Sequence, residues 1–367
     1  MATISEYYPE EVLHPGETLK EKLDEMEMTI KEFALRTDKP EKTIIAVLKG
    51  DSSITSEMAV LFENVTRIPA KFWISMQSKY SEYKVRLKRS LDVEKAEEWA
   101  RCFPYAQMAN KGWVEKTGKI TEKTINLFEY FAVSTHDGWN KLYMESKLRL
   151  AAYASLKFTQ EPHATSAWLR HGELLSDAIE SKSYDKVLFR KILADIKALM
   201  ADHPEDYFQQ LQYLCLQAGV KVVYTPKLPK VPVSGSTRWI KNNPIIQLTD
   251  RYKQNDRFWF TFFHEAGHIL LHGKKYISLD GIKFSGADSK KEAEANKFAE
   301  EWTFSDKEEK EVIKALDAGS LTLQDIIDFA KKFGTHPAMI IGRLQKKSII
   351  PYSVGREFFL PIELSNV

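Results

Sequence analysis

The chain has 367 residues, room for two or three domains at roughly 150 residues each. With 43% hydrophobic and 12% aromatic residues it can bury folded cores, and it is not a disordered chain. Lys+Arg 53 against Asp+Glu 51 leave +2, which excludes a strongly cationic or polyanion-coated protein, and Cys102 and Cys215 lie too far apart in the sequence to suggest a disulfide framework or a thiolate zinc site.

The opening MATISEYYPEE is acidic and lacks the apolar segment of a secretory leader. The most apolar stretch, 258–271, contains His264, Glu265 and His268 and is shorter than the roughly 18 residues of a membrane span. A cytoplasmic chain without membrane association is the expectation.

From Pro15 to about Tyr83 short helical patterns alternate with turn signals: LKEKLDEM, TIKEFALRT, PEKTIIAVLKG and TSEMAVLFENV, each with apolar residues at i, i+3 and i+4 spacing. Residues 29–50 have helix-turn-helix proportions, with Phe33, Ala34, Ile44, Val47 and Leu48 as the shared core. Pro40 suits the first turn of the second helix, Asp38 can take the left-handed turn position, and Gly50 fits the stop. Near the start of that second helix stand Lys39, Glu41, Lys42 and Thr43, where such a helix reaches base edges. Ile45 and Ala46 follow. With HPGETLKEKL before it and the Phe72-Trp73-x-x-x-Gln77 ending after it, the segment resembles the HigA/VapI branch of the XRE repressors over about 70 residues. The resemblance implies a lambda-repressor-like domain over 1–85 that binds double-stranded DNA at its own promoter or operator, as a homodimer matching two half-sites. Residues 1–85 carry a net −4, so few cations are available for phosphates and the remainder of the chain carries +6.

Residues 86–205 read as a helical spacer, rich in Trp, Leu and charge, with no cluster of ligands or nucleophiles; the tryptophans are expected in its core. The texture changes in 206–367. A helix is predicted around Tyr207–Ala218, then a strand in VKVVYTP, two more in TRWI and PIIQLT, a longer helix over 255–272, and further helices from Lys290 to Lys346. The fold class is mainly α with a small α+β part.

The long helix contains His264-Glu265-Ala266-Gly267-His268, an HExxH pattern. Four residues apart on a helix, the two imidazoles share a face and can converge on one zinc ion, with Glu265 beside it as general base toward water. A third protein ligand is expected from KEAEANKFA, where Ala293, Ala295, Phe298 and Ala299 suggest a small-residue packing face. Glu292 and Asn296 are i and i+4, so one can ligate while the other supports a ligand; Glu292 is the preferred ligand and Glu294, on the other side of the helix, the alternative. His272 is expected behind the ligands, and His336 capping a turn.

The run from AGVKVVYTP through SGSTRW, PIIQL, FTFFHEAGHILLH, EAEANKFA and DFAKKFGTHPAMIIGRL resembles the ImmA/IrrE zinc metallo-endopeptidases. The resemblance implies a zincin-like domain, the two histidines and the downstream glutamate as Zn2+ ligands, Glu265 as catalytic base, and a protein substrate of the helix-turn-helix repressor kind. One departure is Glu300-Glu301-Trp302-Thr303-Phe304-Ser305, where the family often has an apolar Leu-Leu-x-Pro segment. LTLQDIIDFAKKFGTHPAMIIGRLQKK also has helix-turn-helix proportions, but its place inside the peptidase-like match gives it a structural role. The expected protein is thus a regulator or antitoxin of a toxin–antitoxin or stress-response system with a zinc-dependent endopeptidase domain. The alternative is a non-enzymatic antitoxin and autorepressor that binds its cognate toxin and uses the zinc domain as support or sensor.

Overall fold

The computed structural model describes residues 12–145, 161–275, 278–280, 287–319 and 322–365; the acidic start of the chain and the leucine that opens LTLQDIID lie outside them. Two compact units divide at Lys95/Ala96.

The first unit holds five helices, α1 Pro15–Glu25, α2 Ile30–Arg36, α3 Glu41–Leu48, α4 Ser56–Thr66 and α5 Ala70–Lys95. Three of the starts carry a side-chain cap. The His14 imidazole caps α1, its Nδ1 accepting from Gly16 N at 2.9 Å, while Glu17 reaches back to the His14 amide. Thr29 and Thr55 cap α2 and α4 through their hydroxyl oxygens. Asp38 takes φ 49°, the left-handed turn foreseen for it, and Gly50 takes φ 77° just beyond α3. Pro40 sits one residue earlier than expected: it is the N-cap of α3, with ψ 135°, and the helix proper begins at Glu41. Phe33, Ala34, Ile44 and Val47 are buried together with Phe62 and Trp73, and Leu48 packs against them. Gln77 accepts from the Ile54 amide at 2.8 Å and so ties α5 to the loop before α4.

The second unit begins with α6 Glu97–Arg101, α7 Tyr105–Asn110, α8 Ile120–Phe131, α9 His136–Trp139 with a π-helical turn after it, and α10 Pro162–Asp177. Trp99, Trp139 and Trp168 are buried there, as their apolar bulk dictates. Helices α11 Lys186–Asp202 and α12 Tyr207–Gln217 lead into β1 Lys221–Tyr224, β2 Gly235–Ile240 and β3 Asn243–Leu248. The sheet order is β1-β3-β2, parallel between β1 and β3 and antiparallel between β3 and β2, so β2 is an edge. Then come α13 Asn255–Leu271, α14 Ala287–Thr303, α15 Asp306–Ala318, α16 Leu323–Phe333 and α17 Pro337–Lys346. The protein is mainly helical with one small sheet, the class its patterning implies.

Helix α13 is the axis of this unit. From Thr261 to Leu270 every residue is buried, so its apolar side chains face packing partners all round. Phe262, Phe263, Ala266 and Ile269 share a core with α11, α12, the sheet and α17. The departure after EANKFA is absorbed by packing: Trp302 stacks on Phe263 at 5.9 Å between ring centroids, Phe304 is buried, and Ser305 caps α15. Among the described residues no helix is long and apolar enough to cross a membrane.

Candidate metal centre and helix-turn-helix surface

On α13 the side chains of His264 and His268 point to one place, as i and i+4 require, with their Nε2 atoms 3.0 Å apart. Glu292 reaches them from α14, Oε2 lying 3.2 Å from His264 Nε2 and Oε1 3.4 Å from His268 Nε2. Four-coordinate zinc with bonds near 2.0–2.1 Å holds its ligand atoms about 3.3 Å apart. The three donors already form a triangle of that size, two imidazoles and a carboxylate, which is a zinc-type set.

The close approach of α14 explains how Glu292 arrives. Gly267 faces Phe298 so tightly that a Cβ there would stand 3.1 Å from the ring, and Ala295 and Ala299 are fully buried. Ala293, expected in the same packing face, is exposed instead, because the buried stripe runs through 295 and 299.

Each histidine is held from behind. His264 Nδ1 meets Asn296 Oδ1 at 3.0 Å, one helical turn beyond Glu292. His268 Nδ1 meets His272 Nδ1 at 3.0 Å, and His272 Nε2 meets Glu294 Oε2 at 3.0 Å. Glu294 therefore turns away from the three donors, half exposed, and anchors the histidine behind His268. His336 lies elsewhere: its Nδ1 accepts from Ala338 N at 3.1 Å as the cap of α17.

Glu265 is fully buried, and neither carboxyl oxygen has a hydrogen-bond partner among the described residues. A buried polar group without a partner carries a desolvation cost that a ligand or reactant can relieve. Burial pushes its carboxyl up to about 8, against the pull of the neighbouring His264. Glu292 goes the other way: its burial is outweighed by hydrogen bonds to both histidines, which hold it well below the usual carboxylate range. Burial lowers His268 to about 4, while at His264 the hydrogen bond to Glu292 and nearby carboxylates overcome burial and raise it to about 9. An ionised Glu292 facing two imidazoles is a donor set that suits a divalent cation.

Two contributors had no sequence signal of their own kind. β2 passes so near the site that a Cβ on Gly235 would stand 2.9 Å from Glu265 Oε1 and 2.6 Å from Thr261 Cγ2. Thr237 donates its hydroxyl to the Glu265 carbonyl at 3.0 Å. In the sequence the glycine stands only within SGSTRW. Asp280, whose charge acts on both His264 and Glu265, accepts from Thr261 Oγ1 at 3.4 Å; nothing in its spacing pointed to it.

In the first unit the residues singled out for DNA fall on one end of α3. Glu41 and Lys42 are exposed and Thr43 is half-buried. Lys39 is half-buried and bound to Glu57 of α4 at 2.5 Å, so it does not stand with the others as an open cation.

These arrangements place a helix-turn-helix in one unit and a His-His-Glu cluster that could hold a metal ion in the other. Residues 215–344 match the peptidase M78 family model described as the IrrE N-terminal-like domain. The regulator YddM of Escherichia coli (strain K12), described as an uncharacterized HTH-type transcriptional regulator, is 30% identical over 67 residues, 18% of this chain and 71% of YddM. An addiction module antidote protein of the HigA family from Coxiella burnetii is 31% identical, with 23% of this chain and 91% of that one covered and a TM-score of 0.21. The antitoxin HigA of Pseudomonas aeruginosa, solved with the higBA promoter, is 24% identical over 23% of this chain and 94% of its own, with a TM-score of 0.22. The chain belongs to the HTH-type transcriptional regulators, and its residues 215–344 are similar to the IrrE N-terminal-like domain of the peptidase M78 family.

Proposed function

We propose that this protein is a DNA-binding regulator whose C-terminal domain hydrolyses a peptide bond in a protein substrate with the help of one zinc ion. The observation that carries the proposal is the triangle of His264, His268 and Glu292 donors with the partnerless Glu265 carboxylate beside it. Zinc held by such a set supplies Lewis acidity toward water and a peptide carbonyl. The chain's own residues supply the rest. Asn296 fixes the His264 ring, and the His272–Glu294 pair fixes that of His268. Glu265 takes the proton of the attacking water on a carboxylate oxygen and returns it to the departing amine, two roles that need a carboxyl with a raised proton affinity. Gly235 and Thr237 hold β2 against that carboxylate and keep bulk water from it on that side. The helix-turn-helix unit, acting as a dimer on two half-sites of its own promoter, would bring this chemistry to regulatory proteins in the cytoplasm, and a repressor of its own kind or a cognate toxin is the substrate or partner that fits.

The test incubates zinc-loaded wild type and Glu265→Gln with candidate helix-turn-helix repressors and follows intact mass. Cleavage by wild type alone is expected. Equal survival of every candidate in both reactions, with zinc retained and toxin rescue or promoter repression intact in both, would replace this reading with that of a binding-only antitoxin.

A further inference from the structure

A cleft of about 570 Å³ opens in the second unit between the end of α7 and the loop that follows β1. Four cations line it, Lys111, Lys227, Lys230 and Arg251, and no carboxylate does among the described residues. Lys230 is paired with Glu161 at 3.3 Å, and Asp250 accepts from the Lys227 amide rather than from its side chain. The Arg251 guanidinium lies over the Tyr252 ring and donates to the Pro232 carbonyl. With four cations lining it against Glu161 and Asp250 at its edge, the cleft keeps an excess of positive charge, and a concave surface of that kind favours an anionic ligand.

The cleft adjoins the candidate metal centre. Val231, in its floor, is four residues before Gly235, the glycine against Glu265, so the connecting chain spans at most about 14 Å. Arg251 also lines a narrow crevice that runs to Thr261, one helical turn before Glu265. A polypeptide crossing the site could therefore lay residues a few positions from its reacting bond into the cleft.

We infer that this cleft recognises an acidic segment of the peptide substrate, flanking the bond to be cut. The inference rests on the peptidase reading above. Its floor, Leu228, Pro229 and Val231, is apolar, and Gln107 and Asn110 offer amides that match a peptide backbone. No aromatic ring lines it among the described residues, so it lacks the stacking platform that a single-stranded nucleic acid would need.

The experiment uses the whole zinc-loaded chain, its Glu265→Gln form, and a short fluorescein-labelled peptide rich in Asp and Glu beside a twin with Asn and Gln in their place. Fluorescence anisotropy of Glu265→Gln reads binding without turnover. The acidic peptide binds at least about tenfold more tightly than its twin, and Lys227→Glu with Lys230→Glu removes that preference. Lys191→Glu, an exposed reversal on α11, leaves it in place. Lys227→Gln with Lys230→Gln gives an intermediate loss, which guards against misfolding of the reversed form. In turnover by the wild-type centre the lysine changes raise KM and leave kcat. Equal binding of the twins overturns the inference, as does equal loss in Lys191→Glu or displacement by an oligonucleotide at a lower concentration than by unlabelled peptide. Preference without cleavage upholds the acidic recognition and defeats the peptidase reading; cleavage without preference does the reverse.

Discussion

The two units solve different problems with the same element. In the peptidase-like unit a buried helix presents two imidazoles and a carboxylate inward, and their backs are held by Asn296, His272 and, through it, Glu294. In the helix-turn-helix unit the start of α3 faces outward, where Glu41 and Lys42 are exposed and have no side-chain partner among the described residues. An inward site is defined by contacts that the fold itself makes. An outward one is completed only by what it meets. The first is therefore sensitive to single substitutions at the centre, while the second is sensitive to its core and tolerant at its surface.

The largest effect that would break this contrast is at the metal ligands. Glu292→Ala should leave the purified chain without stoichiometric zinc and without hydrolysis, a loss of at least about a thousandfold, whereas Glu294→Ala should keep zinc. Metal analysis with a competing chelator reads both; equal zinc loss in the two variants would make Glu294 a ligand after all. Next comes the core of the other unit. Phe62 is fully buried, 5.0 Å from Phe33 and 6.1 Å from Trp73 between centroids, and Phe62→Ala should cost about 3–5 kcal/mol by denaturant melt. Zinc affinity should not change with it.

A smaller effect separates ligands from their supports. His272→Phe removes the group behind His268 and should lower zinc affinity about 10–100-fold without abolishing it. An unchanged affinity would reduce His272 to a packing residue.

How much of this was readable in the sequence follows from distance along the chain. HExxH is a pattern within one helical turn, and Glu292 with Asn296 is another, so helix geometry alone aligned all four. Asp38 and Gly50 were readable because backbone conformation restricts which residues can turn. Pro40 was misplaced by one residue because a proline suits both the cap and the first turn. Gly235 and Asp280 reach the centre only through the pairing of β2 and the path of the chain after α13, and no local pattern encodes that. The cationic cleft is less legible still: Lys111 and Lys227 are brought together from more than a hundred residues apart.

In both units buried histidines lose stability as the pH falls. His14 caps α1 with a neutral ring nitrogen, and burial, partly opposed by Glu17 and reinforced by Lys84, lowers its pKa below the ordinary 6.5; the Tyr80 ring covers its edge. A lowered folded pKa means that the unfolded chain binds the proton more readily. The stability His14 contributes is therefore present above pH 6.5 and lost as pH falls below it toward the folded pKa. His171, His203 and His336, each pushed to about 4 by burial, act in the same direction in the second unit. His14→Asn keeps a capping acceptor and loses the titration, so the difference in melting between it and wild type should change by about 1 kcal/mol between pH 7.5 and pH 5.5. A constant difference would remove His14 from the acid response and leave it to the second unit.

The smallest effect bears on the outward surface itself. Lys39 stands at the end of α3 that such modules turn toward DNA, yet Glu57 holds it. If the module reads DNA in this form, Lys39 contributes little to phosphate contacts while that pair persists. Glu57→Gln frees the ammonium without removing a hydrogen-bonding group. Affinity for a promoter fragment should then rise by roughly two- to fivefold at low salt, and the slope of log affinity against log salt should steepen by about one unit, the signature of one added phosphate contact. An unchanged slope would mean that Lys39 faces no phosphate. Binding would then depend on Lys42 and on other cations of a net acidic unit. A steeper slope would show that Glu57 restrains the DNA-binding face from within the fold, so that even the outward surface is partly set by contacts the chain makes with itself.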